Sequence, residues 1–224
     1  SRMIKEITLA ARDGGNPDMN PRLRTVIESA KEVNMPSDNI KRAIQRGTGE
    51  LPGVIVEEIN YEGYGPGGIA VLVETMTDNR NRITAEVRKI FSRSGGSLGE
   101  AGCVSWMFSK KGCIGIKREQ IDEDSLLEIA MEAGADDVKT DDAEVYEIIT
   151  NPGDFLEIKE VLKGRKIPME YEELSMIPQS YIKIEKDLAR QVLNLVENLE
   201  ENDDVSAVYT NSDISDEIMA ELQA

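Results

Sequence analysis

The chemistry open to this chain is narrowed first by a residue it lacks. Its 224 residues include no histidine. That removes the commonest general base, the usual activator of a nucleophilic serine or cysteine, and the commonest zinc ligand. Cys103 and Cys113 are the only thiols. They form no CxxC spacing and are too few for a disulfide framework, so two reduced cysteines in or near strands point to a reducing compartment. Asp and Glu number 43, and pairs of carboxylates therefore arise by chance and mark nothing. No DxDxDG calcium loop is present. The pairs Asp136-Asp137 and Asp141-Asp142 read as turn and strand-end residues. No cofactor, no metal and no enzyme activity are expected.

The residue types favour phosphate instead. Arg22, Arg24, Lys31, Lys41, Arg42 and Arg46 crowd two short helical stretches, with Arg42 and Arg46 one turn apart. Arginine makes the better bidentate phosphate contact. A second cluster begins at Thr77-Asp78-Asn79-Arg80-Asn81-Arg82, at a helix start, where unpaired N–H groups suit an anion. Further along, Arg82, Lys89 and Arg93 fall within about 40° of one another on a helical wheel, with Glu86 beside them. Ordinary solvated helix faces, with Asp78 as a cap and Arg24 paired to Glu28, account for the same patterns. The glycine-rich run Gly63–Gly68 is neither a P-loop nor a dinucleotide fingerprint, because strands flank it. It reads as a hairpin turn, and Tyr61 and Tyr64 there could stack on bases.

These residues need elements to hold them. Residues 3–12 read as helix, stopped by Gly14-Gly15. Asn20-Pro21 opens a second helix, with Leu23, Val26, Ile27 and Ala30 on one face. Pro36-Ser37-Asp38 opens a third, which Gly47 ends. The period then changes. Strands are expected at 54–61, 69–76 and 104–108, with a helix at 79–93 between the last two. From Cys113 the order is strand 113–117, helix 122–133, strands 137–140 and 144–150, helix 152–162 and strand 169–174. That is the ferredoxin-like βαββαβ order. Strand 181–184, helix 186–200, strand 205–210 and a short acidic helix close the chain.

The fold class is therefore α+β, with an N-terminal three-helix domain followed by two α/β sandwich domains, one ferredoxin-like and inserted in the other. The boundaries read as 1–52 for the helical domain, 53–112 plus 178–224 for the discontinuous α/β domain, and 113–177 for the inserted one. Net charge is −17, which by itself argues against nucleic acid. The distribution differs, because residues 1–112 hold 16 Lys and Arg against 14 Asp and Glu, and residues 113–224 hold 10 against 29. Nucleic-acid contact is thus expected in the first half, with the inserted domain acidic.

Several stretches together resemble the YebC family, which includes the mitochondrial translational activator of cytochrome c oxidase subunit one. They are Asn20-Pro21-Arg22-Leu23-Arg24, Asn34-Met35-Pro36, Gly47-Thr48-Gly49-Glu50, Tyr61-Glu62-Gly63-Tyr64-Gly65-Pro66-Gly67-Gly68, Thr77-Asp78-Asn79-Arg80-Asn81-Arg82 and Gly95-Gly96. The resemblance covers essentially the whole chain. It implies three domains, one inserted in another, and a non-enzymatic role. Members are described either as DNA-binding transcriptional regulators or as translation factors that help the ribosome through difficult stretches such as proline runs. It also implies a basic segment ahead of Ser1 and histidines where this chain has Lys89 and Ser94. The family's basic positions fall here on Arg22, Arg24, Arg42, Arg80, Arg82 and Arg88.

The expected nucleic-acid-binding residues are accordingly Arg22, Arg24, Lys41, Arg42, Arg46, Arg80, Arg82, Arg88, Lys89 and Arg93. The expected function is a ribosome- or rRNA-associated translation factor, with a DNA-binding transcriptional regulator as the alternative. Ribosomal proteins are possible further partners. No membrane and no small-molecule substrate are expected. The location is cytoplasmic, or the mitochondrial matrix if the source is eukaryotic.

Overall fold

Three helices open the chain in the computed structural model, which describes residues 2–223. They are α1 (Arg2–Ala10), α2 (Pro21–Glu32) and α3 (Ser37–Thr48). Asn20 caps α2, its side-chain oxygen accepting from the Leu23 N–H at 3.0 Å. Its amide nitrogen donates to the carbonyls of Ala10 and Gly14 at 2.7 and 2.8 Å, so one buried side chain joins the end of α1 to the start of α2. Ile7, Leu23, Ile27, Ile40 and Ala43 form the core of this bundle. Gly47 does not end α3. The helix runs to Thr48 and closes at Gly49, in the left-handed conformation at φ 82°. Gly47 is there for packing, because a Cβ at that position would lie 2.3 Å from the Thr8 carbonyl oxygen and 2.6 Å from Ala11 Cβ.

A sheet follows. Strands β1 (Glu57–Tyr64) and β2 (Ala70–Thr77) pair as an antiparallel hairpin from Glu57↔Thr77 to Tyr64↔Ala70. The glycine-rich run is its turn, with Gly67 and Gly68 at positive φ. Helix α4 (Arg80–Arg93) leads to the two-residue β3 (Ser97–Leu98), which pairs with β1. After an excursion the chain returns through β8 (Ile182–Lys183), α7 (Lys186–Glu200), β9 (Val205–Thr210), β10 (Ser212–Asp213) and α8 (Asp216–Gln223). Strand β9 adds to β2, giving the order β3-β1-β2-β9. The core is Ile69, Val71 and Val73 beneath Ile83, Val87 and Phe91 of α4, with Val192, Leu195 and Leu199 of α7 beside them. The expected strand at 181–184 shrinks to β8, which pairs in parallel with β10 outside this sheet.

The chain forms two compact units. One comprises the residues up to Trp106 together with those from Tyr181 onward, and the other is Met107–Ser180. The second contains β4 (Phe108–Lys117), α5 (Glu123–Glu132), β5 (Asp137–Lys139), β6 (Val145–Thr150), α6 (Phe155–Gly164) and β7 (Tyr171–Pro178). Its fully antiparallel sheet has the order β5-β6-β4-β7, the ferredoxin-like arrangement. Ile114, Ile116 and Ile148 pack against Leu126 of α5 and Ile158 and Leu162 of α6.

The strand expected at 104–108 is absent. Ser105–Met107 is a 3₁₀ turn, and β4 starts at Phe108. The cause is Glu62 of β1, a buried carboxylate that accepts backbone N–H groups from Gly102, Val104 and Ser105. Burial pushes its pKa up, but these donors outweigh that and leave it below the ordinary carboxylate value. Wrapped around one side chain, the 99–105 segment has no free edge to extend a strand.

The helical bundle is fastened to the sheet by Asp204, which is only 4% exposed and sits just before β9. Lys5 of α1 donates to one of its oxygens. Thr77 and Arg82 donate to the other, each at 2.7 Å. Its backbone carbonyl accepts the Met76 N–H at 2.7 Å. Burial raises the pKa of this carboxyl, and the bonds from Lys5, Arg82 and Thr77 more than reverse it, so the net shift is downward.

These contacts fix the sign of several substitutions. Gly164 is the last residue of α6, and an added Cβ there meets nothing within 4 Å, so Gly164→Ala raises the melting temperature, by less than the gain of about 0.8–1 kcal/mol that alanine has over glycine in a helix interior would give. Gly47→Ala lowers it, because overpacking against backbone costs about 1–3 kcal/mol. Asp204→Ala costs about 2–3 kcal/mol, the penalty for leaving charged partners unsatisfied, with Asp204→Asn in between. A carboxyl whose pKa is depressed by folding contributes stability above its unfolded value, near 4. That contribution is lost as pH falls below about 4 towards the folded pKa. Denaturant titrations between about pH 3 and 7 will show a shallower acid limb for Asp204→Asn than for the parent. Parallel limbs would refute the clamp.

Candidate nucleic-acid interface

The ten basic residues singled out by sequence divide into two groups once their neighbours are known. Arg22 at the start of α2 forms an ion pair with Glu58 of β1. Arg80 pairs with Glu57 at 3.1 Å. Arg82 reaches Asp78 at 2.8 Å and Asp204 at 2.7 Å. Its pKa is raised further, first by the hydrogen bond to Asp204 and then by that to Asp78. All three cations thus already have carboxylate partners, and that of Arg82, Asp204, is buried.

The α4 N-terminus is correspondingly less inviting to phosphate than its sequence suggests. The cap is Asn79, not Asp78, with the Asn79 side-chain oxygen accepting the Arg82 N–H at 3.0 Å. Asp78, Glu57 and Asp204 surround the first turn through their arginine partners, and an incoming anion would meet three carboxylates.

The other seven are exposed, and none has an ion pair among the described residues. Arg24 lies on α2 and does not pair with Glu28. Lys41, Arg42 and Arg46 lie on α3, with the stem of Arg46 against Gly53. Arg88, Lys89 and Arg93 lie on α4, whose opposite face buries Ile83, Val87 and Phe91. Lys89 and Arg93, one turn apart, line a groove of about 380 Å³ with Ile90, Ser94, Asn198 and Asn202. Glu86, which also lines it, accepts from the Asn202 amide at 2.7 Å. Arg88 is one residue, hence about 100°, away from Lys89 around the helix. Two pairs of like charges therefore sit at i,i+4 spacing, Arg42 with Arg46 and Lys89 with Arg93. Each such pair costs its helix about 0.2–0.5 kcal/mol, a cost that a bound phosphate reverses.

Of the aromatic candidates, Tyr61 is not available for stacking. Its ring packs on the core and its hydroxyl hydrogen bonds Thr84 Oγ1 at 2.6 Å. Tyr64 remains exposed. Residues that sequence reading missed are Lys5 and Asp204, 199 positions apart, whose pairing no local pattern signals. Trp106, the chain's one tryptophan, was also passed over.

Charge is also distributed differently in space than along the chain. Residues 107–180 hold 9 Lys and Arg against 18 Asp and Glu, and residues 181–224 hold 3 against 11. The acidity of the second half is thus shared almost equally between the inserted unit and the C-terminal segment. That segment belongs to the same unit as the basic helices. No helix among the described residues is long and apolar enough to cross a membrane.

Comparison with known proteins supplies the lineage. Residues 1–50 match a family profile described as the TACO1/YebC protein N-terminal domain, and residues 56–212 match one described as the TACO1/YebC second and third domain. A relative from Geobacter sulfurreducens is 54% identical over 99% of this chain and 90% of its own length. Another, from Syntrophobacter fumaroxidans, is 53% identical over 98% and 88%. Both carry the name "Probable transcriptional regulatory protein". The crystal structure of a conserved hypothetical protein from Aquifex aeolicus superimposes with a TM-score of 0.82 at 47% identity, covering 97% of this chain and 90% of that one. The chain belongs to the TACO1/YebC family.

Proposed function

We propose that this protein is a non-enzymatic regulator of gene expression that binds nucleic acid, with ribosomal RNA as its target, through α3 and α4. The observation that carries the reading is the set of exposed cations with no carboxylate partner among the described residues, Arg42 and Arg46 on one helix and Lys89 and Arg93 on another. Exposed cations of this kind support phosphate contact, and phosphate contacts supply the sequence-independent part of nucleic-acid affinity. Recognition of RNA by shape and backbone fits a surface that presents cations without a strand or helix of base-reading side chains. A role in translation rests on this reading and on the family resemblance.

A second reading, duplex DNA, has its own support. Helices α2 and α3 are joined by four residues, Val33–Pro36, with Asn34 at φ 57°. Two helices joined by a 3–4-residue turn is the element order of a helix-turn-helix, and α3 would be its recognition helix. The relatives' name, transcriptional regulatory protein, points the same way.

Charge reversal separates the two, provided it spares the cations that hold the fold. Arg80 and Arg82 are poor choices, since Arg82→Glu would set a carboxylate against Asp204. Lys89→Glu with Arg93→Glu is expected to abolish co-sedimentation with ribosomes at moderate salt while leaving the melting temperature within a few degrees. Each single change should reduce the salt slope of binding by about one. Unchanged co-sedimentation would sink the RNA reading. A promoter footprint at physiological salt that disappears on Arg42→Glu would establish the DNA reading in its place.

A further inference from the structure

Strand β7 borders the sheet of the inserted unit, pairing with β4 alone. The register runs from Phe108↔Pro178 to Gly115↔Tyr171 without a shift, and just beyond it the Gln179 N–H donates to the Met107 carbonyl at 2.8 Å. Bonded and non-bonded positions alternate along an antiparallel pair. The Gln179 bond therefore sets Tyr171, Glu173, Ser175 and Ile177 with their backbone groups towards β4, and Glu172, Leu174 and Met176 with theirs pointing outwards. Pro178, with no N–H to offer, falls in the outward set, where a strand tolerates it. The outward groups of Glu172, Leu174 and Met176 meet no hydrogen-bond partner among the described residues. Tyr171, Glu172, Glu173 and Leu174 are exposed. Folded chains blunt such an edge with lysine, a bulge or a covering loop. Over its first four residues β7 has none of these and carries Glu172 and Glu173 instead, with Glu170 just ahead.

The two faces of this edge differ. Tyr171 lies across Gly115, where an added Cβ would come within 2.2 Å of the ring, and its hydroxyl donates to Glu147 of β6 at 2.6 Å. Glu173, two residues on, shares that face. Lys117 and Lys159 offset Glu170 and Glu172, at 3.2 and 2.6 Å, whereas Glu173 has no ion pair among the described residues. The other face meets α6. Lys159 reaches Glu172 from that helix, and Phe155 packs on Gly112, the strand partner of Leu174. Leu156, three residues before Lys159, is on the same side of the helix and is 69% exposed, with Leu174 43% exposed. An added strand would thus meet a free carboxylate on one face and leucines on the other. A second copy is a poor occupant, because antiparallel pairing of β7 with itself sets Glu172 and Glu173 against one another, and like charges across a strand pair are destabilising. Phosphate chains are repelled by the same carboxylates. A strand of alternating basic and apolar residues satisfies the backbone groups, the charge and the leucines together. We propose that the outer edge of β7 receives an extended basic segment of another protein as an added strand. This docking is independent of nucleic-acid contact at α3 and α4.

The intact chain is titrated with a labelled peptide of alternating lysine and valine, as long as β7, and binding is followed by anisotropy. Amide hydrogen exchange is read in parallel. Saturation should slow exchange at Glu172, Leu174 and Met176 and leave Glu173 and Ser175 unchanged, a parity that loose electrostatic association does not produce. Two N-methylated peptides, each blocked along one of its edges, should differ in affinity about tenfold or more, because only one loses its bonds to β7. Glu173→Lys should weaken binding about fivefold, as attraction becomes repulsion at one cross-strand pair, with the melting temperature within a few degrees of the parent. Glu173→Gln should fall between the two. Replacing every lysine of the peptide by glutamate should abolish binding.

Equal affinity of the two N-methylated peptides, or slowed exchange at both parities of β7, overturns strand addition even if Glu173→Lys does not fold. Binding of the glutamate peptide as tightly as the lysine one overturns the basic partner. So does protection of the same amides in the chain alone as its concentration rises, which would make a second copy the occupant. No binding at millimolar peptide removes the site.

Discussion

A buried carboxylate is a costly thing to fold around, and Asp204 shows what makes it tolerable. Taking a carboxylate out of water costs several kcal/mol, which attraction to a partner repays only when the geometry is good and the remaining lone pairs are filled. Here a lysine from α1, an arginine from α4 and a hydroxyl from β2 meet both oxygens. The three donors come from distant stretches of sequence, so one residue fastens the helical bundle, the central hairpin and the first turn of α4 together. The consequence reaches the surface. Arg82 ties the first turn of α4 to this carboxylate, while burial of Ile83, Val87 and Phe91 turns Lys89 and Arg93 outwards. Helix α3 is held in turn through its glycine contact with Thr8, on the same helix as Lys5.

This changes how the most basic-looking motif should be understood. Thr77-Asp78-Asn79-Arg80-Asn81-Arg82 has the composition of an anion site at a helix start. In the folded chain its threonine and second arginine serve Asp204, its first arginine serves Glu57, and its first asparagine, Asn79, caps the helix. Nearly every side chain of the motif is spent internally. Lys89 and Arg93, less conspicuous and two to three turns further on, have no ion pair among the described residues.

What was legible in the sequence follows the range of the forces involved. Helix α7 and strand β9 fall where period and turn residues place them, at Lys186–Glu200 and Val205–Thr210, because short-range patterning decides them. The ferredoxin-like order was readable for the same reason. Gly47 was misjudged because glycine as a helix stop is a local rule, and a non-local contact with Thr8 overrides it. The 104–108 stretch was misjudged because β-propensity lost to a carboxylate 40 or so residues earlier. The candidate site divides the same way. That Arg42, Arg46, Lys89 and Arg93 are exposed follows from helical period alone. That Arg22, Arg80 and Arg82 are neutralised does not, since their partners lie 36, 23 and 122 positions away.

A net charge of −17 need not oppose such a contact. Charges beyond a Debye length of about 8 Å at physiological salt are largely screened, so a phosphate at Lys89 and Arg93 responds to its immediate neighbours more than to the total. Among those neighbours Glu86 already accepts a hydrogen bond from Asn202. The acidity does limit how much binding electrostatics can supply. With few unpaired cations per helix, only a few counterions are released, and the salt slope for a single strand is about −0.7 for each phosphate neutralised. Such a surface gains little from long-range attraction.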